Sequence, residues 1–151
     1  MEDFVHLHVH TQYSILDGQS SISALLKKAM KDGMKGMAIT DHGNMMGIKE
    51  FFNTSKKEIK KAKNELAAAQ AKMEALQAGT YKRPEEDPNA GVSDEELLKS
   101  IEAQMPLLER CANFKPILGC EMYVARRSMK LREGRQDQGG NHLIVLAKNE
   151  K

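Results

Sequence analysis

The chain has 151 residues, 40% hydrophobic and 29% charged, with a formal net charge of +2. That is enough for one modest soluble domain with a real core, and it points to no strong polyanion or membrane preference. No run approaches the roughly 20 apolar residues needed to span a bilayer, and the N-terminus lacks a signal-peptide pattern. Cys111 and Cys120 are the only cysteines, too few for a disulfide scaffold and without finger-like partners for zinc. The expected setting is the reducing cytoplasm, with both thiols free.

In chain order, Phe4-Val-His-Leu-His-Val-His10 alternates and predicts a strand. Phe4, His6, His8 and His10 would share one face, with Val5, Leu7 and Val9 on the other. Ile22, Leu25, Leu26, Ala29 and Met30 then form one apolar stripe, predicting a helix near 21–32. Ser20 or Ser21 can cap it, and Gly33 can close it. Gly36–Thr40 predicts a second strand running into Asp41-His42-Gly43, so the opening reads as a parallel strand–helix–strand unit.

Residues 45–78 predict one long helix. Ile59, Ala62, Leu66, Ala69, Met73 and Leu76 keep the narrow seam of a coiled coil. A Gly-, Pro- and acid-rich stretch at 79–92 breaks it, and Ser93 with Glu96 forms a capping-box pair for a second helix. Leu98, Ile101, Met105, Leu108 and Ala112 repeat the seam, so 56–112 reads as an antiparallel helical hairpin. Pro106 should kink or break its second arm near Gln104. Lys115–Ala125 supplies a third strand, 126–141 an Arg- and Gly-rich loop, and Leu143–Ala147 a fourth strand. The sequence then stops where another helix is expected, which reads as a cut.

His8 and His10 would project side by side near the end of the first strand, with Asp17 on the loop beyond and Asp41-His42 at the end of the second. In sheets of parallel strands that end gathers ligand and catalytic groups. Imidazoles and carboxylates suit Zn²⁺, Mn²⁺ or Fe²⁺. Taken singly, the H-x-H pair fits hydrogen-bonded structural histidines, Asp17-Gly18 a plain turn, and D-H-G a strand-ending cap. Their shared rim favours a metal.

These stretches carry a resemblance. FVHLHVHTQYSILDG, MAITDHGNMMG, KPILGCEMYVA and NHLIVLAKN resemble the N-terminal PHP (polymerase and histidinol phosphatase) domain of the bacterial replicative DNA polymerase III alpha family, over residues 4–52 and 114–149. The resemblance implies an α/β fold: the N-terminal half of a distorted seven-stranded (β/α) barrel, with residues 1–53 and 113–151 as the partial PHP domain and 54–112 as an inserted hairpin. Carried over by position, the implied metal ligands are His8, His10, Asp17, His42, Glu121 and His142, with up to three divalent ions in the complete domain and the remaining ligands past residue 151. Asp41 is expected behind them, orienting an imidazole, and His6 as a satisfied core histidine. His142 precedes its apolar strand, so it reaches the rim only if the third and fourth strands pair antiparallel.

Clustered divalent ions suit phosphoester hydrolysis, and the resemblance implies 3′–5′ exonuclease proofreading within a DNA-directed DNA polymerase (a nucleotidyltransferase), with DNA and other replisome subunits as partners. The alternatives are a structural metal-binding platform for replisome contacts and a stand-alone PHP phosphatase. Arg126, Arg127, Lys130, Arg132 and Arg135 can grip phosphates, with a solvated flexible loop as the competing reading. For Lys56, Lys57, Lys60, Lys61 and Lys63 the solvated helix face is preferred to DNA contact. This stretch alone is expected to hold metal partially, to catalyse negligibly and, with sheet edges uncovered, to self-associate.

Overall fold

The computed structural model describes residues 4–83 and 91–149. Three helices, α1 (Ile22–Lys31), α2 (Ile48–Gln77) and α3 (Asp94–Ala112), accompany three strands, β1 (Gly36–Ile39), β2 (Lys115–Ala125) and β3 (Gly140–Leu146), with a 3₁₀ turn at Gly134–Asp137. The sheet order is β1-β2-β3. β1 and β2 run parallel, aligning Gly36 with Lys115 and Ile39 with Leu118. β2 and β3 run antiparallel, placing Tyr123 opposite His142. This is the antiparallel pairing that His142 required.

α1 forms where its stripe predicts. Ser21 accepts the Ala24 amide at its start, and Gly33 follows at φ +73°. Ile22, Leu26, Ala29 and Met30 are buried against Met37 and Ile39 of β1, Phe51 and Ala62 of α2, and Ala112 and Phe114. The hairpin is therefore joined to the core at its base: Ile59, Leu66 and Cys111 pack on the same cluster. α2 runs unbroken for 30 residues, about 45 Å at 1.5 Å per residue. The Ser93–Glu96 capping box forms in both directions. Among the described residues no helix is long and apolar enough to cross a membrane. The breaking stretch at 79–92 lies partly outside the described residues.

Three expectations are corrected. Residues 4–10 are extended but do not form a regular strand. Their contacts to β1 are an isolated parallel bridge between His6 and Met37 and the bonds Ala38 N–H to the His6 carbonyl and Thr40 N–H to the Val9 carbonyl, both 2.8 Å. Three residues of this segment thus span what two span in β1, a bulge-like surplus of one residue that reverses facing direction. His6 consequently shares its side with Val9, not with His8; the two line one cavity with Leu25, Ala29 and Met37. His6 is exposed and lies edge-on to Phe4, so it is not a core histidine. Third, of the kink or break expected at Pro106, the break does not occur: α3 continues through it. Pro106 is exposed, so the carbonyl deprived of its partner faces water, and the seam packing on the other side holds the helix.

Candidate metal centre

The rim is built on a buried knot of short polar side chains. Asp41, which directly follows Thr40 at the end of β1, is buried together with Thr11 and Ser14. Its Oδ1 accepts the Thr11 amide (2.7 Å), the Thr11 hydroxyl (2.9 Å) and the Ser14 hydroxyl (2.8 Å). Ser14 Oγ in turn accepts the His42 amide (3.0 Å). A buried carboxylate is tolerated only when so satisfied. Asp41 therefore ties the 11–18 loop to the end of β1, and where an imidazole partner was expected it holds hydroxyls. At Gly18 any β-carbon would stand 2.0 Å from the Thr11 carbonyl oxygen, so the turn carrying Asp17 closes only with glycine there.

The side chains aimed outward from this scaffold meet. His42 and Glu121 sit side by side in a parallel bridge that prolongs the β1–β2 pairing. His42 Nδ1 lies 2.7 Å from Glu121 Oε2 and 3.7 Å from Asp17 Oδ2. His10 Nε2 lies 2.8 Å from Glu121 Oε2, and its Nδ1 lies 3.3 Å from Asp17 Oδ2. His8 Nε2 reaches His10 Nε2 at 3.0 Å and Glu121 Oε1 at 3.9 Å. From the neighbouring strand, His142 Nδ1 comes within 3.1 Å of Glu121 Oε1. The structure brings together all six residues singled out in the sequence. They fall into three overlapping groups of metal-compatible donors: His8, His10 and Glu121; His10, Asp17 and His42; His42, Glu121 and His142.

Glu121 is the hub, with a side chain only 8% exposed. Burial pushes its carboxyl up, but the hydrogen bond from His42 and the charges of His10, His142 and His42 outweigh that and hold it below the usual carboxylate range. The carboxylate is thus ready to accept positive charge. Cys120 is not part of this donor set: burial, followed by the carboxylates of Asp41 and Glu121, pushes its thiol up, and it donates to the Asn44 carbonyl at 3.3 Å.

Tyr123 went unnoticed in the sequence. Its hydroxyl contacts His42 Nε2, and its ring stands edge-on to His42 and His142 at 5.1 and 4.8 Å between centroids. The signal was available as parity, since Tyr123 is two residues from Glu121 on one strand and so faces the same way. Gly43, at φ +65°, makes room for that ring; a β-carbon would sit 2.8 Å from Tyr123 Cε2.

The basic loop is divided. Arg127 is fully engaged, with Nε 2.9 Å from Asp137 Oδ1 and Nη2 2.8 Å from Asp137 Oδ2 and 3.2 Å from Glu133. Arg126 and Arg132 line a small cavity. Lys130 and Arg135 are exposed. On α2, Lys61 pairs with Glu65 at 3.7 Å, Lys57 is exposed, and Lys56, Lys60 and Lys63 border a groove floored by Phe52, Ile59 and Pro116.

Comparison with known sequences agrees with this geometry. The PHP domain pattern matches residues 6–151. DNA polymerase III subunit alpha of Borreliella burgdorferi is 32% identical over 150 residues, 97% of this chain and 8% of that protein. Proteins of the same name from Helicobacter pylori (strain ATCC 700392 / 26695) and Aquifex aeolicus are 51% identical over 55 residues (36% of this chain, 4% of that protein) and 49% identical over 57 residues (38% and 5%). The chain thus spans less than a tenth of the length of these relatives. With the family pattern running over nearly its whole length, this chain belongs to the PHP domain family.

Proposed function

We propose that this chain carries the main part of a divalent-metal centre for phosphoester hydrolysis, acting as a 3′–5′ exonuclease on DNA within a replicative polymerase alpha subunit. The observation that supports this best is Glu121, a mostly buried carboxylate with imidazole nitrogens of His10, His42 and His142 at 2.8, 2.7 and 3.1 Å. Four imidazoles and two carboxylates are a donor set of intermediate softness, fitting Zn²⁺, Mn²⁺ or Fe²⁺. His8, His10, Asp17, His42, Glu121 and His142 would hold the ions, more than one of them given three overlapping donor groups. When bound, such ions supply hydroxide at neutral pH and neutralise phosphoryl charge.

The chain's own residues prepare that chemistry. Asp41 fixes the loop and so fixes Asp17 and His10 against Glu121. Glu121, with its carboxyl held below the usual range, accepts from ring N–H groups of the surrounding histidines and would offer its charge to a bound cation. Tyr123 orients His42 from the side opposite Glu121. We read the 54–112 segment as an insertion whose base shares the core. The relatives' printed name, DNA polymerase III subunit alpha, supports a replicative, DNA-bound setting.

The test is metal content and exonuclease activity of the full-length protein carrying this chain, with and without His10→Ala. Loss of metal together with at least about a 100-fold loss of hydrolysis is expected, exceeding the 10–100-fold scale of outer-sphere partners. If metal is retained and hydrolysis is untouched, the centre is a structural platform.

A further inference from the structure

The loop after β2 sorts its charges in a way the sequence did not reveal. Both of its acids, Glu133 and Asp137, are committed to Arg127, and Asp137 also accepts the Glu133 amide at 2.6 Å. Arg127 is thus a clamp that folds the loop. Among the described residues, Arg126, Lys130, Arg132 and Arg135 are left without an ion pair. Two of them, Arg126 and Arg132, border one cavity of about 160 Å³ that is also lined by Ala125, Ser128 and the Asp137 side chain, whose carboxylate is neutralised by Arg127. At ~30 Å³ per water, that holds a phosphate group and part of its hydration.

The cavity's position relates it to the rim. Ala125, one wall of the cavity at the end of β2, has the strand parity of Glu121 and Tyr123, so that wall faces the cluster's side of the strand. From Glu121 to Arg126 is five residues, about 17 Å along a strand at ~3.3 Å each. A single nucleic-acid strand covers that with about five stacked nucleotides at ~3.4 Å, or fewer when extended.

We propose that Arg126 and Arg132 form a subsite for a backbone phosphate of a single nucleic-acid strand whose end lies at the His8–His10–Glu121 rim, several nucleotides away. Two guanidinium groups beside an open cavity present forked donors for a phosphate, and the contact carries no sequence preference. The subsite rests on the proposed function only for the location of the strand's end. It makes that site read length: a dinucleotide occupies the rim alone, and a hexanucleotide reaches both.

The experiment measures binding of thymidine oligonucleotides of two and six residues to the 151-residue chain with Mn²⁺, comparing it with Arg126→Ala/Arg132→Ala and with His10→Ala. The wild-type chain is expected to prefer the hexamer by about tenfold or more, the scale of one charge-assisted hydrogen bond. In the double variant that preference should shrink toward unity, and the slope of log K against log salt for the hexamer should fall by about 0.7, the value for one phosphate on a single strand. An unchanged preference and salt slope would overturn the subsite, as would an equal loss on both oligonucleotides, which would mean that the arginines act through the fold. The two readings fail separately. If His10→Ala and removal of Mn²⁺ leave dimer binding untouched, the strand's end is not at the rim and the functional reading falls, while the hexamer's dependence on the two arginines is scored independently.

Discussion

β1 and β3 flank the same strand, β2, yet they live in different environments. All four residues of β1 are buried, wrapped by α1 and joined to the 4–10 segment on their free edge. β3 is exposed along most of its length: Leu143 and Val145 are 52% and 41% accessible, and their partners across the ladder include Met122 at 47%. The candidate centre straddles this divide. Its His10–Asp17–His42 side is bolted to a buried polar knot, whereas His142 is delivered by a hairpin whose outer face has little packed on it. The lesson is that donor convergence and scaffold rigidity are separate properties. A hub such as Glu121 can gather candidate donor side chains from a firm region and a soft one.

The sharpest way to break the comparison is at its firm end. Asp41→Ala leaves the buried hydroxyls of Thr11 and Ser14 and the Thr11 amide without an acceptor, so a loss of about 3 kcal/mol or more is expected in urea unfolding. Tyr123→Phe comes next. It keeps the ring contacts with His42 and His142 while removing the hydroxyl, so the fold should hold and metal affinity should fall by about tenfold, read by metal titration. Leu143→Ala, at the soft end, should cost under about 1 kcal/mol, since little burial is lost. The same exposed strand face predicts concentration-dependent self-association, weakened by Leu143→Ala; a monomer by light scattering at high concentration would count against it.

What the sequence made legible follows the strength of local rules. The α1 stripe, the Ser93 capping box and the antiparallel β2–β3 pair were readable because periodicity, cap chemistry and the position expected of His142 each admit a single geometry. All six donors converged because strand ends and the loops after them gather on one rim. What failed did so for physical reasons. The surplus residue between His6 and Val9 sits in an unbroken His-x-His alternation and leaves no mark on it, so His6 was assigned to the wrong side. Pro106 does not break α3 because its exposed position leaves the freed carbonyl beside solvent, which the local sequence does not show. Asp41 was assigned an imidazole because its true partners, Thr11 and Ser14, lie about thirty residues away and look like ordinary turn residues.

The smallest expected effect concerns the basic loop, and it sharpens the comparison on the soft side. Arg127 holds the Asp137 carboxyl below the usual carboxylate range, helped by the Glu133 amide. A carboxylate whose folded value is depressed contributes stability that is complete above its unfolded value and is lost as pH falls through the folded one. The clamp should therefore survive acidification to about pH 4, the ordinary aspartate range, and open only below it. The side-chain Nε–H resonance of Arg127 in NMR would follow this directly. If it shifts to its free position while the pH is still above the ordinary aspartate value, the loop is not held by this pair, and the separation of Arg127 from Arg126 and Arg132 loses its basis.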